Sequence, residues 1–544
     1  MKRLLLIFAL LGLLATGCSK DVFDDLKNWV DNIDGGSSVK IPNNEIWYTN
    51  GSTKEVTELY DESAFEVGVV SNKYSSRNNC WVIKFDGDVK HIGDKAFYSR
   101  GDLTSVTIPS SVTSIGTAAF ANCSSLKRFR GKFASEDGRA LIVDSKLVAF
   151  APAGLATYNI PDGVTVIDDY VFNDCSDLES VVIANSVTAI GERAFELCYE
   201  LASVVMPENL ITIGDYAFAD CTKLVRISIP NSVTTIGKRA FIDCHSLLGF
   251  QGKYVSDDER CIIVDGRLIA FAPAELTEYT IPDGVTEIGE CVFLSCNNLN
   301  KVTMSNSVVS LEEGAFSCCA NLSQITLSDR LSMIGDSAFG NNYSLSEIKL
   351  PNSVVTIGDG AFADCSGMAN IDIPNSVTTI GSSAFSFCGS LTMVEIPDSV
   401  TTLGDNLFLG CQALESVVLG NGITTVPNYT FCKCDNLAVV TLGDRVTMIG
   451  ECSFEHCMNL TSITLPETTT AIGERAFYGC QNLNSVYCKA LTPPAAVVTY
   501  NNWDAFGNNN VERLIYVPLA SVDAYKSADG WKDYANAICG YSFE

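Results

Sequence analysis

One interval organises the sequence: the same short sentence returns every 23 residues. A clean copy runs from Leu224 to Ser246, and Leu247 opens the next. The phase is carried by a phenylalanine. It recurs at steps of 23 from Phe97 to Phe120, from Phe172 to Phe241 and from Phe293 to Phe477, while the two remaining intervals, Phe120 to Phe172 and Phe241 to Phe293, are each 52. A unit of this size cannot bury an apolar face by itself, so a fixed repeat of it predicts a solenoid in which each coil stacks on its neighbours.

Each position of the repeat has a physical task. Leu224, Ile227 and Ile229 end in an apolar-polar alternation, the period-2 pattern of a short strand with one buried face. Pro230, which has no N–H for a ladder, ends that strand. Val233 to Ile236 is a second short extended segment, and Gly237 suits a sharp corner, with positive φ open to it. Ala240, Phe241 and Cys244 fit one tight helical or 3₁₀ turn, with the small alanine admitting close contact and the ring filling the coil.

The full pattern, Leu-x-x-Ile-x-Ile-Pro-x-Ser-Val-Thr-x-Ile-Gly-x-x-Ala-Phe-x-x-Cys, resembles the leucine-rich repeat of the BspA-like bacterial surface proteins, the Treponema pallidum type, over about residues 81 to 490. The expected fold is a β-rich leucine-rich-repeat solenoid: stacked 23-residue coils with short parallel strands and single helical turns, elongated or gently curved. The resemblance implies a surface protein that adheres to extracellular-matrix or plasma proteins. It also implies caps at both ends.

A net charge of −28 argues against nucleic-acid binding, which needs a basic footprint. Acidic residues keep a repetitive β-rich surface soluble and its edges unpaired. The 22 cysteines suggest a disulfide framework until their phase is read. Thirteen, from Cys123 to Cys480, stand three residues after the repeat phenylalanine, and Asn342 takes that place in one coil. Such a column is expected to hold small buried thiols, although disulfides between adjacent coils are geometrically open.

Along the chain, residues 1–17 have the form of a lipoprotein signal peptide: Lys2 and Arg3, an apolar run from Leu4 to Leu14, then Ala15-Thr16-Gly17 before Cys18. Cys18 is the expected lipidation site, and residues 18–44 read as the lipidated cysteine, a short amphipathic helix and a linker. Residues 45–85 resemble the family's N-terminal cap, with a hairpin turning at Asn50-Gly51 and a strand over Trp81 to Phe85. Repeats are expected over 86–490. The two long intervals hold homologous inserts, at about 130–155 and 251–276, each read as a hairpin around Asp144-Ser145 or Asp265-Gly266, either projecting from the stack or enlarging a coil. Residues 491–544 read as a degenerate last coil, a strand and a closing helix, with Trp531 and Tyr534 covering the end of the core.

The residues offer little for catalysis. His91, His245 and His456 are the only histidines and lie many coils apart, so no nucleophile-histidine pair is expected. Cys432-x-Cys434 and Cys318-Cys319 lack a second pair at zinc spacing. Acidic pairs such as Glu136-Asp137 and Glu312-Glu313 lack a calcium-loop spacing. Neither enzymatic activity nor a cofactor or metal is therefore expected. The outward positions of the first strand remain, where Glu347, Lys349, Asp372 and Glu395 form the candidate binding surface. The expected role is recognition of host or neighbouring-cell macromolecules, chiefly extracellular or host proteins, by a protein held to the outer membrane through its lipid and displayed at the cell surface. A glycan-capture lipoprotein and a structural surface-layer protein are the alternatives.

Overall fold

The computed structural model describes residues 40–496 and 504–543. The expectations for the signal peptide, Cys18 and the amphipathic helix fall outside the described residues. The chain divides into two compact units, one comprising the chain up to Cys221 with Pro230–Gly237, the other Thr222–Ile229 with the chain from Lys238 onward.

Both units are built from stacked 23-residue coils, and most coils contribute two strands; in the coils of Lys349 and Asp372 the first strand is reduced to isolated bridges. The first strands pair in parallel with the next coil in strict register, as in Ser180–Val182 on Ser203–Val205 in the first unit and Met393–Ile396 on Ser416–Leu419 in the second. The second strands are only two residues long, yet six of them, with the insert strands Cys261–Val264 and Arg267–Phe271, form the longest sheet of the second unit, eight strands ending at Thr402–Leu403. Their register is one repeat per step: Ile334 faces Ile357, which faces Ile380. Identical β-branched side chains therefore pile up in columns, which is how so short a strand is held.

The phenylalanines form a stack through each unbroken run of repeats. In the first unit, the Phe172 and Phe195 rings are 4.7 Å apart and Phe195 and Phe218 5.1 Å. In the second unit, the run from Phe293 to Phe477 continues into Phe506, with neighbouring rings 4.6 to 5.6 Å apart and nearly parallel. The expected helical turn around each ring takes another form. Residues two before and two after the ring are left-handed, as at Ser383 (φ 56°) and Phe387 (φ 58°) around Phe385. The amide of each ring residue consequently points along the stack, not back along a helix: Phe362 N–H donates to the Ala384 carbonyl of the next coil at 2.8 Å. Coil-to-coil hydrogen bonding displaces the helical pattern.

Gly237 also differs from expectation, since its φ is not positive. The backbone of the preceding coil comes so close that a Cβ there would meet Asp215 N and Oδ1 at 2.3 Å. Close approach, not a left-handed corner, excludes a side chain at this position.

The inserts are woven into the stack. Ala140–Val143 and Lys146–Phe150 form an antiparallel hairpin whose two-residue turn, Asp144 and Ser145, is left-handed at both positions. The returning strand then pairs in parallel with Val166–Ile167, and Leu141, Leu147 and Phe150 are buried. Phe150 lies 4.6 Å from Phe172, and its counterpart Phe271 lies 4.5 Å from Phe293, so each insert supplies the ring that the long interval omits. The projecting alternative fails; the insert is an enlarged coil.

At the N-terminal end a hairpin at Asn50-Gly51 does not form. Glu45–Thr49 instead lies between Cys80–Phe85 and Ser105–Ile108, antiparallel to both, and Cys80–Phe85 turns back on Val69–Ser75. At the other end the closing helix is short, Val522–Ser527. Trp531 is fully buried and donates its indole N–H to Pro494 O at 2.8 Å, while Tyr534 packs edge-on against Phe506. A final strand, Ile538–Tyr541, joins Leu514–Pro518.

Candidate binding surface

The cysteine column is chemically quiet for a reason the geometry makes plain. Each thiol is buried, and within the unbroken runs it donates to the carbonyl of the repeat phenylalanine in the preceding coil: Cys319 to Phe293 O at 2.9 Å, Cys388 to Phe362 O at 3.2 Å, Cys480 to Phe454 O at 3.0 Å. Asn342 does the same through Nδ2, to Phe316 O at 2.9 Å. A donor of the right length is what the position requires, which is why asparagine replaces cysteine there. Burial pushes the Cys319, Cys365 and Cys411 thiols up to about 12, so the nucleophilic thiolate is scarce at neutral pH. All 21 cysteines among the described residues are free. No group of three His, Cys, Asp or Glu side chains among them is arranged to hold a metal ion, and no described helix is long and apolar enough to cross a membrane.

The four outward residues singled out from the sequence are all exposed. Lys349 pairs across the stack with Asp372, and Asn370 with Met393. That register sets Lys349, Asp372 and Glu395 in one column, with Glu347 two residues along the same chain segment. None of the four forms an ion pair among the described residues. The column ends at a groove of about 400 Å³ lined by Glu395, Pro397, Val418, Asn421 and Asp444; Glu347, Lys349 and Asp372 lie outside it.

Apolar side chains beside this column escaped the sequence reading. Met393 registers with Ser416 and Val439, and Glu395 with Val418 and Thr441. Met393, Val418 and Val439 are 61%, 37% and 56% exposed. Reading the first outward position of each repeat as well as the second would have found Met393 and Val439. The result is a flat, registered surface on which exposed apolar side chains stand beside charged ones.

Stacked coils, phenylalanine column and donor column together reproduce a known repeat. The sequence profile of the BspA type leucine-rich repeat region matches in six copies, over residues 67–132, 146–253, 268–389 and 356–484, well over half of the chain. The chain belongs to the BspA-type leucine-rich-repeat family. Among solved structures, this BspA-type protein is similar to a leucine-rich repeat protein from Bacteroides ovatus, with 28% identity and a TM-score of 0.50 over 75% of this chain and 97% of that one. A leucine-rich cell surface protein from Faecalibacterium prausnitzii shares 26% identity, with a TM-score of 0.40 over 71% and 95%. The leucine-rich repeat protein of Treponema pallidum shares 25%, with a TM-score of 0.28 over 42% and 86%. No curated protein matches the sequence.

Proposed function

We propose that this BspA-type protein is a lipid-anchored surface protein that binds extracellular proteins of a host or neighbouring cell through the outward face of its first strands. The observation that carries the reading is the pair of registered columns in which Met393 and Val439 stand exposed beside Glu395, Val418 and their groove. Apolar side chains repeated at the coil spacing beside exposed charge suit a partner held by many weak contacts, and the shallow groove does not suit an enclosed small molecule. Lys2 and Arg3, the apolar run and Gly17-Cys18 support export and lipid attachment.

Two measurements test this reading. Protease added to intact cells is expected to remove the protein, and protection until the outer membrane is broken would refute surface display. In a screen of matrix and plasma proteins, Met393→Asp with Val439→Asp is expected to weaken binding by about tenfold or more, as loss of central apolar contacts does, without lowering the melting temperature. Equal binding by the variant would refute the assigned face.

A further inference from the structure

The outer face of the N-terminal sheet carries a charge opposite to that of the whole chain. Its five strands run in the order Val69–Ser75, Cys80–Phe85, Glu45–Thr49, Ser105–Ile108 and Arg128–Gly131. Ile46, Tyr48, Ile83, Val106 and Phe129 point inward and are buried. The register therefore sets the alternate residues on the opposite face in one row: Lys73 faces Val82, Val82 faces Trp47, Trp47 faces Thr107 and Thr107 faces Arg130, with Thr107 itself only 7% exposed. Lys84 lies beside this row opposite Glu45, and Arg128 lies opposite Ser105, which faces Thr49. Lys127 and Lys132 flank the last strand.

Four cations thus share the strands of one face with a single carboxylate, in a protein of net charge −28. That carboxylate, Glu45, accepts the Trp47 indole N–H at 2.8 Å and so steadies the ring at the centre of the face. Lys73, Lys84, Lys127, Arg130 and Lys132 form no ion pair among the described residues. The row from Lys73 to Arg130 crosses four strand spacings, about 19 Å.

We propose that this face binds an anionic polysaccharide, a chain bearing sulfate or uronate groups. Cations spread over that span match a polymer with charge at regular intervals. A half-buried indole offers an aromatic contact for a sugar ring, and the Thr49 and Ser105 hydroxyls, 2.7 Å from each other, lie in the row that ends at Arg128. A lipid surface fits less well, because insertion needs protruding apolar side chains, and Trp47 is half-buried and hydrogen-bonded within the face. The acidic remainder of the chain repels polyanions, so retention would be local to this sheet. The inference does not rest on the reading of the first-strand face above, and either can fail alone.

The test uses the full chain with immobilised heparin as the sulfated probe, polygalacturonate as the uronate probe and neutral dextran as the reference. Retention on at least one anionic glycan is expected at about 0.15 M salt, falling with added salt as counterions are released. Lys84→Gln with Arg130→Gln is expected to weaken binding about tenfold or more and to flatten the salt dependence. Trp47→Ala is expected to weaken it at every salt concentration with little change in that slope. Unchanged circular dichroism and melting temperature in the Lys84 and Arg130 variant separate loss of contact from loss of fold. The proposal is overturned by no retention on either glycan, by equal retention of the charge variant, or by tighter binding to phosphatidylglycerol vesicles or polyglutamate.

Discussion

Truncating Phe385 to alanine should open the solenoid at one place. The ring is fully buried and lies 5.5 Å from Phe362 at 1° and 5.6 Å from Phe408 at 11°. Removing a buried phenylalanine side chain from a close-packed core costs about 3–5 kcal/mol, of which the two ring contacts account for about 1–3 kcal/mol. Nearest-neighbour coupling in a solenoid makes that loss local. Hydrogen exchange should therefore rise in the coils holding Phe362, Phe385 and Phe408 before it rises elsewhere. Phe387→Asn is the control, two residues away: its ring is 48% exposed and its backbone left-handed, a conformation asparagine tolerates. Its effect on stability should stay within about 0.5 kcal/mol. Urea unfolding gives the magnitude and exchange followed by mass spectrometry gives the place. A Phe385→Ala cost below about 1 kcal/mol, or an increase in exchange spread evenly over the unit, would refute the stacked-ring argument.

Three further outcomes follow from the same geometry. Cys388→Ala removes one of the two donors on the Phe362 carbonyl, which also accepts the Cys365 N–H at 3.2 Å, and should cost about 0.5–1.5 kcal/mol by chemical denaturation, whereas Cys388→Asn should cost less, because Asn342 fills the equivalent place. Gly237→Ala would drive a Cβ to 2.3 Å from the Asp215 backbone, so its melting temperature should fall by several degrees, and an unchanged value would contradict the close approach. Alkali should unfold the protein in a defined window. Thiols such as Cys365 and Cys411 are raised by burial from 9.0 to about 12, so stability is full below pH 9 and falls between 9 and 12, where only the unfolded chain loses the proton. The slope is about 1.4 kcal/mol per pH unit for each such thiol, and a melting temperature that holds from pH 8 to pH 11 would count against it.

Much of the fold was legible because a repeat declares its columns. The phenylalanine phase placed the ring stack, and the Cys-or-Asn phase placed a buried column, though not its bonds to carbonyls 26 residues earlier. Phe150 and Phe271 were hidden because they stand 22, not 23, residues before the next ring and reach the stack through a hairpin. The left-handed residues around each ring carry no common side chain, from Ser383 to Tyr429 to Cys452, so local propensity suggested a helical turn where hydrogen bonds between coils prevail. The N-terminal sheet defeated sequence reading more thoroughly. Glu45–Thr49 pairs with strands that begin 35 and 60 residues later, so Lys73, Trp47 and Arg130 share no local pattern. The acidic total concealed a basic face for the same reason, since net charge has no position.

Thiol counting in the folded protein reaches the central claim most directly, because the buried donor column exists only if the coils stack in register. Of the 21 described cysteines, 19 are buried and only Cys318 and Cys539 are partly exposed. Brief labelling with a thiol reagent, followed by peptide mapping, should modify those two and leave the column from Cys365 to Cys480 untouched until denaturant is added, when all 21 should react. Rapid labelling of Cys388 or Cys434 in the native protein, or disulfides between neighbouring coils, would contradict the account.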